Sequence, residues 1–337
     1  MCPPTVEILS WPIKGDAEVT VLEKTEQGER VSLSAASVTV AYNGAGVLPR
    51  QIEALLRQTR PPQEIVVVDN ASVDGTCALL SERYPQVKVL RLSENLGVGG
   101  GVAAGLAYAA LERRHDWIWT FDQDSVPNHD ALEALLEGAE SLGNSNGEIG
   151  MVAPLAVDRE AGVCYAPLLW RDGYVKPSAE QLRQPIWFAD LVISSGSMVR
   201  RDVVEKVGLP RADFFIYFVD YEYCLRVRSH GYRIAVITRS RFTHEIGNAR
   251  RVRLPGYSRL WPDYAPWREY YVIRNLTYAA WWLYPNCRAK RFALRHFARH
   301  AGGVLLFSSK KLACLKKMAQ GFWDGRRARL GIRFRPD

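Results

Sequence analysis

The sequence predicts an α/β fold in which a mixed, mainly parallel sheet is flanked by helices, and three observations carry that prediction. From Ser37 onward, short apolar runs alternate with stretches long enough for helices. The runs are nearly continuous in hydrophobicity, as strands covered on both faces require. Two of them, Ile65–Val68 and Trp117–Phe121, run directly into carboxylates, Asp69 and Asp122.

The elements follow in order. Val38–Tyr42 is the first strand, Val47–Gln58 a helix, Glu64–Asp69 the second strand, Cys77–Tyr84 a helix and Val87–Leu90 the third strand. The Gly- and Ala-rich stretch Gly99–Arg113 forms a long helix, and Asp116–Phe121 is a buried strand. Further strands are expected at Ile149–Val157, Ile186–Ile193 and Tyr232–Ile237, a helix over Tyr221–His230, and loops at Ser141–Glu148 and Arg171–Pro185. Residues 245–267 mix arginines with Pro and Gly and read as a mobile loop, and Trp267–Tyr284 and Arg288–Phe322 read as helices. The expected organisation is an N-terminal extension over 1–36, an α/β domain carrying the site over 37–250, and a loop with basic amphipathic helices over 251–337.

Composition narrows the class. With 47% hydrophobic and 24% charged residues in 337, the chain can bury a full core, which excludes a disordered chain, a coiled coil or a disulfide scaffold. The net charge of +8 is a C-terminal property, because residues 288–337 carry 14 basic and 2 acidic side chains. Six scattered cysteines, without a Cys-x-x-Cys pair, fit a reducing cytosol, and the N-terminus lacks the features of a secretory signal. The apolar run Tyr270–Tyr284 is interrupted by Arg274 and Asn275 and is too short to cross about 30 Å of hydrocarbon, so no membrane span is expected.

Asp122 and Asp124, one residue apart after a buried strand, can hold a hard divalent cation against phosphate oxygens. A solvated Asp-rich turn is the plain alternative, but ligands of open α/β folds bind at strand C-termini. Asp69 stands at another strand tip, where it can meet a base edge, and Ser72 and Asp74 read as helix caps. The glycines after Asn95 (Gly97, Gly99, Gly100 and Gly101) let backbone amides approach a nucleotide or sugar. They do not make a dinucleotide fingerprint, since the third glycine is missing and the loop follows the third strand. Asp220 and Glu222 open a predicted helix: as a base supported by Glu222 and Arg226, or as ordinary first-turn acids facing the helix dipole. His244 follows a strand and can reach a metal, although a lone His is more often structural.

Taken together, Val40-Ala41-Tyr42-Asn43, Val67-Val68-Asp69-Asn70, Glu94-Asn95-Leu96-Gly97, Phe121-Asp122-Gln123-Asp124, Ser195-Gly196-Ser197 and Val219-Asp220-Tyr221-Glu222 resemble the family 2 glycosyltransferases with the GT-A fold, and within them the rhamnosyltransferase-like branch. The resemblance covers Ser37 to Asn248. It implies that Ala41, Tyr42 and Asn43 line a nucleotide pocket, that Asp69 bonds a pyrimidine, and that Asn95, Gly97, Asp122 and Gly196 lie at the donor. It further implies Asp124 and His244 as ligands of Mg²⁺ or Mn²⁺, Asp220 as the base of an inverting transfer, and dTDP-rhamnose as the donor, with a galactofuranosyltransferase using UDP-galactofuranose, or another UDP-sugar transferase, as the alternative. Val219 stands where the family often has a further acid. Arg250, Arg251 and Arg253 are candidates to close over a diphosphate, with a solvated basic loop as the alternative. A silent nucleotide-sugar binder and a nucleotidyltransferase are the readings from other classes.

The basic C-terminal helices suit an anionic membrane surface, placing the protein peripherally on the cytoplasmic face, or equally an interface within a homo-oligomer. No nucleic-acid module is recognisable. With the membrane reading, the resemblance implies a polyprenol-linked saccharide as acceptor in cell-surface polysaccharide synthesis.

Overall fold

The computed structural model describes residues 33–143, 148–158, 163–165, 167–171, 173–243, 249–254 and 257–336. Most of the expected extension and His244 lie outside the described residues. The strands are β1 Ala35–Ala41, β2 Glu64–Asp69, β3 Lys88–Arg91, β4 Trp117–Asp122, β5 Val126–Pro127, β6 Ile149–Asp158 and β7 Val163–Tyr165. They continue with β8 Leu169–Trp170, β9 Tyr174–Val175, β10 Ile186–Ala189, β11 Met198–Arg200, β12 Arg233–Thr243, β13 Ala249–Leu254 and β14 Tyr257–Pro262. The helices are α1 Leu48–Leu56, α2 Thr76–Arg83, α3 Gly97–Leu106, α4 Ala131–Leu142, α5 Ala179–Arg183, α6 Arg201–Val207, α7 Val219–Ser229, α8 Pro266–Tyr278, α9 Cys287–Phe307 and α10 Lys311–Arg326.

The main sheet runs β10-β12-β6-β11-β4-β1-β2-β3, with β5 and β7 pairing off this path. Strands β3, β2, β1 and β4 are parallel, as are β6 and β12, while β11 lies antiparallel between β4 and β6. Alternate residues of the strands feed two cores. Ala36, Val38, Val66 and Val68 face Val102 and Leu106 of α3 and Tyr223 and Val227 of α7. On the other face, Ile65 and Val67 meet Leu48 and Ile52 of α1, Leu80 of α2 and Leu132 of α4. Burial on both faces is what made the strands read as continuous apolar runs.

Two expectations are corrected. The segment read as a mobile loop contains a hairpin, with β13 antiparallel to β14 from Ala249 opposite Pro262 to Leu254 opposite Tyr257. The loop expected over Arg171–Pro185 contains β9 and the short helix α5. Glycines of α3 serve packing. A Cβ on Gly101 would lie 2.5 Å from Val40 Cγ1, and one on Gly105 would lie 2.1 Å from Val38 Cγ1, so glycine lets α3 settle onto β1.

Gly105→Ala is therefore expected to destabilise the fold by about 1–3 kcal/mol through overpacking, read as a lower urea midpoint at unchanged slope. A midpoint equal to the parent's would show that β1 gives way freely.

Candidate active site

The site is assembled at the C-terminal ends of the parallel strands. After β4 the chain turns through Asp122, Gln123 and Asp124, and this turn is held from below. Gln51 Nε2, buried on α1, donates to the carbonyls of Asp122 at 2.6 Å and Ser125 at 2.7 Å. Asp122 N–H donates to Ser195 Oγ at 3.1 Å, and Ser195 Oγ in turn donates to Ser125 Oγ at 2.7 Å. Gly196, φ +80°, is buried behind β4: its N–H donates to Thr120 O, and its carbonyl accepts from Trp119 Nε1, both at 2.7 Å. Gly196 supports β4, since Phe242 and Pro154 fill the space a Cβ would take.

The loops after β1, β2 and β3 are sewn to this turn and to one another. Tyr42 N–H donates to Gln123 Oε1 at 2.8 Å, and Asn43, φ +50°, accepts Val73 N–H on Oδ1. Asp69 is fully buried, with Ser72 N–H at 3.1 Å on Oδ1 and Cys77 Sγ at 2.9 Å and Arg91 Nε at 3.6 Å on Oδ2. Burial, reinforced by this carboxylate, pushes the Cys77 thiol up to about 11, so it remains a donor. Asp69 thus orders its own turn. Neighbouring Asn70 spans to the third loop, donating to Gly97 O at 3.0 Å and accepting Leu96 N–H at 2.8 Å, while Asn95 Oδ1 accepts Gly97 N–H at 2.8 Å.

The third loop abuts the turn that delivers Asp220. Gly99 N–H donates to Phe215 O at 2.9 Å, and a Cβ on Gly97 (φ +70°) would lie 2.3 Å from the same oxygen. This turn is strained: Phe215, Tyr217 and Phe218 all have φ between 62° and 64°, a region that bulky side chains avoid at a cost on the order of 1–3 kcal/mol each. Two adjacent, fully buried residues of α8 hold it. Asn275 Nδ2 donates to Phe214 O at 3.0 Å, Ile216 O at 2.8 Å and Tyr217 O at 2.8 Å. Arg274 Nη2 donates to Asp213 O at 2.9 Å and Phe214 O at 3.0 Å, and its Nε fixes Asn275 Oδ1 at 2.8 Å.

From this turn, α7 starts at Val219 with Asp220 in its first turn. Glu222 is buried and forms a two-pronged pair with Arg226 at 2.9 and 3.0 Å. Arg226 also donates to Val207 O at 2.8 Å and Leu209 O at 2.9 Å. Both residues therefore support α7. Asp220 joins Thr120, Ser194 and Ser197 in lining a mainly apolar cavity of about 30 Å³.

Asp122 lies close enough to Asp124 and Asp220 to feel the charge of both. Burial, and then the charges of Asp124 and Asp220, push the Asp122 carboxyl up to about 7. Among the described residues, no group of three or more His, Cys, Asp or Glu side chains could hold a metal ion. Cations such as Mg²⁺ are commonly bound by one or two carboxylates together with substrate phosphates. The all-oxygen donors Asp122 and Asp124, and the repulsion that a cation would relieve, fit such a site. Arg250, Arg251 and Arg253 lie on β13 of the hairpin. Reading by residue type missed Gln51, Asn70 and Asn275; buried amides carry no periodic or motif signal.

The glycosyl transferase family 2 model matches residues 37–208. The dTDP-rhamnosyl transferase RfbF of Shigella flexneri is 28% identical over 242 residues, covering 71% of this chain and 77% of its own. The galactofuranosyltransferase GlfT1 of Mycolicibacterium smegmatis is 24% identical over 219 residues, 63% of this chain and 70% of its own. In fold, GalNAc-T7 solved with UDP, GalNAc and Mn²⁺ superposes with a TM-score of 0.56 at 16% identity, covering 89% of this chain and 57% of that one.

A carboxyl raised in the folded state binds its proton more tightly there than in the unfolded chain, so folding loses stability as pH rises from 3.8 to about 7. Asp122→Asn removes that loss. The melting temperature of the variant relative to the parent, without added metal, is expected to rise across this window and level off above it. A difference independent of pH would show that Asp122 is not raised.

Proposed function

The chain belongs to glycosyl transferase family 2, and from that premise we propose that it is an inverting, divalent-metal-dependent transferase moving rhamnose from dTDP-rhamnose onto a glycan or lipid-linked saccharide acceptor in bacterial cell-surface polysaccharide synthesis. The reading is carried by the mutual electrostatic influence of Asp122, Asp124 and Asp220 at the ends of the parallel strands. The dTDP-rhamnosyl relative supports the donor. The galactofuranosyl relative supports a second reading, a UDP-linked donor.

Asp220 acts as the base. Its carboxylate takes the proton of an acceptor hydroxyl as that oxygen bonds to the anomeric carbon, while the bond from that carbon to the diphosphate breaks and the electron pair leaves with the nucleoside diphosphate. Attack opposite the leaving group inverts the anomeric centre. Asp124 holds the cation, with His244 added by resemblance to the family, and Asp122 faces the donor beside it. The cation, when bound, supplies Lewis-acid stabilisation of charge on the departing diphosphate. The amide-stitched loops of Tyr42, Asn43, Asn95 and Gly97 line the nucleotide, and Arg250, Arg251 and Arg253 are the cations assigned to its diphosphate.

Incubation with dTDP-rhamnose and Mn²⁺ should release nucleoside diphosphate; release of pyrophosphate would indicate nucleotidyl transfer and contradict the reading. Asp220→Asn should keep donor affinity while transfer falls by about 10²–10⁴-fold, the usual contribution of base catalysis. Asp124→Ala should lose the Mn²⁺-dependent part of donor binding in calorimetry. Full transfer by the first variant, or unchanged metal dependence in the second, removes the assigned role.

A further inference from the structure

We infer that the outward face of α9, with the elbow leading into α10, docks this protein in the plane of an anionic lipid surface. The inference does not depend on which sugar is transferred. Arg288, Arg291, Arg295 and Arg299 are all exposed and spaced three, four and four residues apart. At about 100° per residue they form one stripe along the helix. The face turned away from the stripe carries the buried residues Ala289, Ala293 and Val304. No Asp or Glu occurs anywhere in α9, so the stripe has no acidic residue on its own helix.

Charge alone would suit any polyanion; the leucines decide between them. Leu294 and Leu305 border the stripe at 49% and 52% exposure, and Leu306 continues it at 72%. Past the end of α9, Lys310 and Lys311 are exposed beside Leu312, which is 84% exposed. Solvent-facing leucines scattered singly are ordinary, but several set among cations at one corner form a patch. A nucleic acid gains nothing from them. A bilayer uses both, drawing the cations to its phosphates and taking the leucines into the acyl boundary. Among the described residues no helix is long and apolar enough to cross a membrane, so the attachment proposed is in-plane.

Co-sedimentation of the full chain with vesicles tests this. Binding is expected to vesicles of phosphatidylcholine mixed with phosphatidylglycerol, not to phosphatidylcholine alone, and to weaken as salt rises. The exposed charge reversal Arg291→Glu, Arg295→Glu and Arg299→Glu should lower binding by at least about tenfold. Leu305→Ser, Leu306→Ser and Leu312→Ser should lower it at salt concentrations where charge is screened. Unaltered melting temperatures confirm that either variant is folded. No binding to the anionic vesicles at low salt would overturn the inference, as would retention of binding by the charge-reversed variant. A serine variant that binds like the parent while single-stranded RNA competes for the same face would assign the face to nucleic acid. A self-association lost in the serine variant, without vesicle binding, would assign it to a second copy of the chain.

Discussion

Five hydrogen bonds from Arg274 and Asn275 to the carbonyls of residues 213–217 hold a backbone turn that its own side chains disfavour. Three bulky residues in left-handed geometry would relax if those carbonyls could find water. Burial denies them that, because the donors have no exposure and aromatic rings close the turn, Phe215 against Tyr271 with centroids 5.0 Å apart. Losing Asn275 takes a donor from the carbonyls of Ile216 and Tyr217, while Asp213 O keeps Gly331 N–H at 3.0 Å and Phe214 O keeps Ile216 N–H at 2.7 Å. The strain is therefore kept in place, and α7 leaves the turn with Asp220 in its first turn, near enough for its charge to act on Asp122.

The same constraint explains why the C-terminal region is not an appendage. Arg274 also donates to Gly331 O at 2.5 Å, and Tyr271 Oη donates to Phe334 O at 2.8 Å, so the last residues of the chain return to brace the turn. One side of the helical region supports the site, while the outer side of α9 carries the cations. The sheet supplies the other half of the geometry. Parallel strands bring three loops and the β4 turn to one edge, and buried amides (Gln51, Asn70 and Asn275) set the distances between them. Carboxylates placed together at a cost in self-repulsion suit a role that involves a cation or a proton.

The order of strands and helices through β4 was legible because β1, β2 and β4 are continuous apolar runs separated by stretches long enough for helices, of which α1 is clearly amphipathic. Met198–Arg200 escaped notice, since three residues show no period, and its antiparallel insertion between β4 and β6 depends on contacts remote in sequence. The carboxylates were legible as strand-end acids. Their support was not: Arg274 and Asn275 registered only as breaks in an apolar run, and a polar pair inside a buried helix reveals its purpose through the carbonyls it meets. The packing role of the α3 glycines was not legible either, because glycine serves ligand approach and helix packing alike, and only the structure sets Gly101 and Gly105 against Val40 and Val38.

The account's central claim is that Asn275, a positioning residue, fixes the direction of Asp220. It is tested most directly by the transfer rate of Asn275→Ala, measured alongside donor affinity on protein that retains a cooperative melting transition. A displacement of about 1 Å at a reacting group costs on the order of 10²-fold in rate. The rate is predicted to fall by that order while donor affinity is kept, and asparagine's nearest donor-bearing homologue, Asn275→Gln, should recover part of it. A parent-like rate in the alanine variant, or an equal loss of rate and donor affinity, would contradict the claim.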